Sequence, residues 1–120
     1  MKKILILLVV AAISIPSFAG LKEKDVIGKW TYKLETPDEI LTGTLSFEKK
    51  DGKLEGEVNT DNAENFLLSN VEIRDNNVLY FELEPDYELI KVTLTVEGKK
   101  FTGTISVGGE EVPISGEKIE

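Results

Sequence analysis

The residue types that could do chemistry in this chain are nearly all carboxylates. Histidine and cysteine are both absent. No imidazole can activate a serine, no thiolate can attack, and neither can hold a metal. There is no glycine-rich phosphate loop. Two glutamate pairs remain, Glu55 with Glu57 and Glu82 with Glu84. Spacing of two along a strand sets the Cα atoms about 6.6 Å apart on one face. A glycosidase acid/base pair could use such a separation. Both pairs fall on the polar stripe of their segment, where water surrounds each carboxyl and no burial lifts its pKa. They read as a solvated face, and no catalytic residue is assigned.

Asp61, Asn62, Glu64 and Asn65 make an oxygen-rich segment that could attract calcium. It lacks the spacing and the glycine of an EF-hand loop. It reads as an ordinary polar connection, so no metal and no cofactor are expected. The aromatic residues carry more information. Trp30, Tyr32, Phe47, Phe81 and Phe101 all fall on apolar stripes, where filling a core is the default role of a ring. If the interior is hollow, these five are the candidate ligand-binding residues at one end of it. Tyr80 lies on a polar stripe, and Phe66 and Tyr87 sit at loop junctions.

The elements that must position these rings are strands. From Gly28 onward apolar and polar residues alternate with a period of two. The pattern predicts eight strands at 27–35, 40–49, 53–59, 67–73, 78–84, 88–97, 100–107 and 110–118. A charged lead-in of one helical turn (21–26) precedes them. Turn chemistry falls between the runs: Pro37-Asp38, Asp51-Gly52, Asp75-Asn76-Asn77, Pro85-Asp86, Gly98 and Gly108-Gly109. Four glycines, Gly43, Gly56, Gly103 and Gly116, stand on the inward stripe where side chains are expected. Glycine weakens a strand. Sharp bending of a small barrel, or close approach of a ligand or of a large neighbour such as Trp30, explains its presence, and bending is favoured. Pro113 faces outward in the last run, and an irregularity is expected there, at the seam with the first strand. Two hairpins, 45–58 and 94–105, resemble each other at a period of about 49 residues, as a duplicated hairpin within one sheet would. Consecutive strands with short turns and one apolar face predict an all-β fold, an eight-stranded antiparallel up-and-down β-barrel.

Residues 1–19 read as a cleavable signal peptide. Lys2 and Lys3 begin it, Ile4–Ile13 is an apolar run too short to span a bilayer, and Ser17-Phe18-Ala19 offers a cleavage site before Gly20. The single domain is then 20–120, with no transmembrane span. Losing Lys2 and Lys3 takes the net charge from −8 to −10. Such an acidic surface argues against nucleic acid as a partner. The expected location is the periplasm or the extracellular medium.

Asp25-Val26-Ile27-Gly28-Lys29-Trp30-Thr31-Tyr32 resembles the opening of lipocalin and calycin barrels, in which Gly-x-Trp begins the first strand and the Trp plugs one end. Gly28 and Trp30 are the matching residues. The stretch from Trp30 to Val58, with Gly43-Thr44-Leu45 and Asp51-Gly52-Lys53-Leu54, is similar to small lipocalin-like barrels of bacterial exported proteins and to barrel modules appended to bacterial hydrolases. The resemblance implies an eight-stranded barrel that binds a small apolar molecule or a protein, and it carries no catalytic residue across. The expected function is therefore that of a monomeric, non-enzymatic exported barrel binding a small apolar ligand or an envelope component. The alternative is a protein-interaction module, such as an inhibitor or accessory domain of a secreted hydrolase. A cavity above about 300 Å³, the low end for ligand pockets, is what the first requires.

Overall fold

Alternating side chains put one apolar face on every strand, and a single meandering sheet buries that face by curling onto itself. The computed structural model describes residues 20–120. The signal-peptide segment 1–19, with the residue on the N-terminal side of its cleavage site, lies outside the described residues. A short helix α1 (Glu23–Val26) leads into β1 (Gly28–Glu35), β2 (Ile40–Lys50), β3 (Lys53–Thr60), β4 (Asn65–Leu67), β5 (Ser69–Arg74), β6 (Val78–Leu83), β7 (Ile90–Glu97), β8 (Lys100–Val107) and β9 (Glu110–Lys118). They form one sheet in the order β4-β3-β2-β1-β9-β8-β7-β6-β5. Every pairing is antiparallel, and β1 meets β9 from Trp30↔Lys118 to Leu34↔Ile114. The sheet closes almost completely. Across the remaining gap, between β3 and β5, the Leu68 N–H donates to the Gly56 carbonyl at 2.9 Å.

Nine strands stand where eight are predicted. The run 67–73 is divided at Leu68 between β4, which pairs with β3, and β5, which pairs with β6. The pattern conceals the break for a physical reason. Leu67 points out and is 78% exposed, while Phe66 and Leu68 pack against the core. A register shift between Ser69 and Glu72, with Asn70 in the left-handed region (φ 50), then adds one residue. That bulge restores the inward phase at Val71 and Ile73. The bulge is thus found on the other side of the barrel, and at Pro113 the expected irregularity is confined to imperfect pairing at the seam with β1. The β8–β9 register runs unbroken through Thr104↔Pro113, and pairing with β1 ends one residue short of the proline.

Three inward glycines sit directly across from aromatic rings. Tyr32 pairs with Gly43 on one side and Gly116 on the other, and Phe47 pairs with Gly56. A Cβ on Gly116 would meet both the Thr31 carbonyl and the Phe101 ring. The strand is bent so far onto its neighbour there that no side chain fits, which is the coiling a small barrel needs.

The barrel has two unlike ends. At one, α1 caps the interior: Val26 and Trp30 are buried, and the Trp30 Nε1–H donates to the Val26 carbonyl at 2.9 Å. Trp30 and Phe101 pack with ring centroids 5.6 Å apart. The turns at 51–52, 75–77 and 98–99 lie at this end. At the other end lie the connections 36–39, 61–64, 84–89 and 108–109; the third holds a single 3-10 turn (Pro85–Tyr87), and no α-helix covers this end among the described residues.

Candidate functional site

Each strand that reaches the uncapped end brings its last inward residues to the rim of the barrel. The two halves of the interior are filled unequally. Large rings pack the half under α1. Toward the other end the inward positions hold Leu34, Val58, Leu83, Ile90, Val107 and Val112, and branched aliphatic side chains there do not meet across the axis. They leave a cavity of about 300 Å³, at the lower limit for small-molecule sites. Tyr32, Leu45 and Phe81 form its floor, and Thr36, Thr60, Pro85 and Val107 stand beside the four uncapped connections. Among the described residues, the only lining side chains with a polar atom are those of Tyr32, Thr36 and Thr60. Hollows of greater volume exist on the outer surface, such as one of about 620 Å³ along the β3–β5 gap, but charged Glu23, Lys53, Glu55 and Glu72 line it. That is a wet groove, whereas the interior cavity is a place where apolar surface leaves water.

The five candidate aromatic residues are divided by this geometry. Tyr32 and Phe81 line the cavity. Trp30 and Phe101 pack on each other under α1, and Phe47 supports Phe81 from below, centroids 5.7 Å apart. The lining that ring-spotting misses is aliphatic, together with Phe66 at the start of the divided strand. The usable signal is topological: these residues are the inward positions nearest the four connections of one end. The Tyr32 hydroxyl is held above its ordinary pKa by burial and then by the Asp61 carboxylate, so it stays protonated at neutral pH.

The carboxylate pairs lie outside the barrel. Glu55 is exposed on β3, and Glu84 is exposed at the rim. Glu82 accepts hydrogen bonds from the Tyr80 hydroxyl and from Asn70 Nδ2, the latter at 2.7 Å. Those donors, Tyr80 first, pull its carboxyl below the usual carboxylate range. A general acid needs the opposite shift. In the 61–64 connection Asp61 accepts from the Thr42 hydroxyl, and the Glu64 N–H donates to the Thr60 hydroxyl oxygen. Among the described residues no three carboxylates converge as metal ligands would, and no helix is long and apolar enough to cross a membrane.

No protein-family model matches the chain, and no curated protein does. Solved structures do share its shape. A redesigned β-barrel superposes with a TM-score of 0.63 at 9% identity, over 82% of this chain and 95% of that one. A second redesigned barrel, bound to DFHBI, gives 0.59 at 9% identity, over 81% and 97%. A Schistosoma mansoni fatty acid binding protein in complex with arachidonic acid gives 0.55 at 12% identity, over 82% and 98%. At such identities the likeness is one of fold, a small antiparallel barrel of the kind that includes a fatty acid binding protein.

Proposed function

We propose that this protein binds one small apolar molecule inside its barrel and performs no catalysis. One observation carries this: a cavity of about 300 Å³ whose wall is mostly aliphatic and aromatic, open toward the one end that α1 does not cover. Burying apolar surface there gains about 25 cal/mol per Å² removed from water. At about 30 Å³ per non-hydrogen atom, the share of a water molecule in the liquid, the space holds roughly ten such atoms. Barrels of the same shape that hold DFHBI or arachidonic acid lend support by fold. The non-catalytic part rests on the lack of histidine and cysteine and on the outward, solvated carboxylates. Its place of action is the periplasm or the medium, as the sequence 1–19 suggests.

Calorimetric titration with 1-decanol tests the reading. We expect one site per chain in the wild-type protein and none in Ile105→Trp, in which an indole fills the cavity. A folded wild-type barrel that takes up no decanol up to its solubility limit overturns it.

A further inference from the structure

Charge is distributed unevenly along the barrel axis. The connections at the uncapped end, 36–39, 61–64 and 84–89, carry two, two and three acidic residues and no basic one. Glu35 and Glu110 add to them at adjoining strand ends, and all of these side chains are exposed. Of the described lysines and arginines, only Lys33 and Lys91 lie toward this end. The others flank α1 and the turns of the capped end, among them Lys49, Lys50, Lys53, Arg74, Lys99 and Lys118. The cavity opens between the acidic connections, for Thr36, Thr60 and Pro85 in its wall border or belong to them.

The interior offers no counter-charge of either sign, since no charged side chain is buried among the described residues. A ligand anion drawn inside would lose its hydration with nothing to pair with. Left at the rim, it would face carboxylates. A cation left at the rim keeps its water and gains from several negative charges at once, within the reach of a Debye length of about 10 Å at 0.1 M salt.

We infer that the cavity takes an amphiphile with a cationic head, its apolar body of about ten non-hydrogen atoms inside the barrel and its ammonium-type head at the acidic rim. The inference rests on the binding function proposed above. The site is the cavity, and the carboxylates select which end-group is tolerated at its mouth. A fatty-acid anion of the same length is the ligand disfavoured by this arrangement.

The test compares three ten-carbon probes, decylammonium, 1-decanol and decanoate, each below micelle formation, by calorimetry at pH 7.5. At 10 mM salt we expect decylammonium to bind about tenfold more tightly than decanoate, with decanol between them. At 1 M salt, where the Debye length is about 3 Å, that ratio should collapse toward one. The variant Glu84→Gln/Asp86→Asn/Glu88→Gln, confined to exposed side chains, should narrow the ratio at low salt and leave decanol affinity unchanged. Equal binding of the three probes, or tighter binding of decanoate, overturns the inference while leaving apolar binding intact. Failure of all three to bind overturns the proposed function and the inference together.

Discussion

The indole N–H of Trp30 donates to the backbone carbonyl of Val26 at 2.9 Å, tying the start of β1 to the helical turn that plugs the barrel. Both residues are fully buried, Trp30 at 1% and Val26 at 0% exposure. A buried carbonyl at the end of a four-residue helix has little alternative partner, and the ring has been chosen to reach it. Trp30→Phe keeps an aromatic against Phe101, deletes the donor and leaves a void where the larger indole stood. We expect it to lower unfolding stability in urea by about 2–4 kcal/mol, the cost of orphaning a buried acceptor and of the void together. Decanol affinity should not change, because Trp30 does not line the cavity.

Gly116 lies between Tyr32 and Phe101 as cross-strand partner of both. A methyl group placed there runs into the Thr31 carbonyl and the Phe101 ring together. Gly116→Ala should therefore destabilise by about 3 kcal/mol, at the upper end for overpacking. Adding Phe101→Leu should recover part of the loss, since it clears the ring and leaves the carbonyl in place. Gly98 is the contrasting position, at a turn with nothing within 4 Å of its missing Cβ. Alanine there should cost only the penalty of a left-handed backbone, about 1–2 kcal/mol.

The parity of the strands was legible because apolar and polar residues alternate through β1, β7, β8 and the middle of β2, while in β6 Leu79, Phe81 and Leu83 keep the inward spacing although Val78 and Tyr80 interrupt the pattern. Leu67-Leu68 was not, since two adjacent leucines give alternation no means of deciding which faces in. The extra residue at Asn70 then hid the error by restoring the phase. The barrel itself was foreseeable from the single apolar face. Its hollow end was not, because size and aromaticity point to Trp30, Phe47 and Phe101, which are large enough to fill the half they occupy. Which half is filled depends on how rings from β1, β2, β6 and β8 meet across the axis, and that is a property of the closed sheet. The acidic rim was present in the sequence as a charge excess, but only closure brings 36–39, 61–64 and 84–89 to the same mouth.

On the outer wall, Arg74 stacks over the Tyr80 ring, 3.7 Å from guanidinium carbon to centroid, and the Tyr80 hydroxyl donates to Glu82. The bond lowers the Glu82 pKa from its ordinary 4.5. A carboxyl whose folded pKa is depressed stabilises the native state above its unfolded pKa and loses that contribution as pH falls through the folded value. The same contact, after burial, raises the Tyr80 hydroxyl above 10.0. A raised pKa works in the other direction: its stabilisation is complete below the unfolded value and is lost as pH rises through the folded one. The stability difference between wild type and Tyr80→Phe should therefore form a plateau across neutral pH. It should shrink below about pH 4.5 and again above about pH 10. Urea unfolding from pH 2 to 11 measures it, and a difference that is flat throughout would show the contact to be idle.

Backbone strain is concentrated at the rim. Asp86 (φ 52) and Tyr87 (φ 67) are consecutive non-glycine residues in the left-handed region, between β6 and β7. Tyr87 is fully exposed, at 100%, so no packing compensates for its conformation. A left-handed backbone costs an L-residue about 1–2 kcal/mol, and an aromatic lacks the local hydrogen bond that makes the region tolerable for Asp. Replacement by glycine removes that cost and adds back roughly 0.5–1 kcal/mol of chain entropy. Tyr87→Gly should thus stabilise the protein by about 0.5–1 kcal/mol in urea unfolding. Asp86→Gly should change stability less, because Asp bears the conformation better. If Tyr87→Gly is instead destabilising, the exposed ring makes a contact that offsets its strain, and the rim is more tightly organised than its solvent exposure implies.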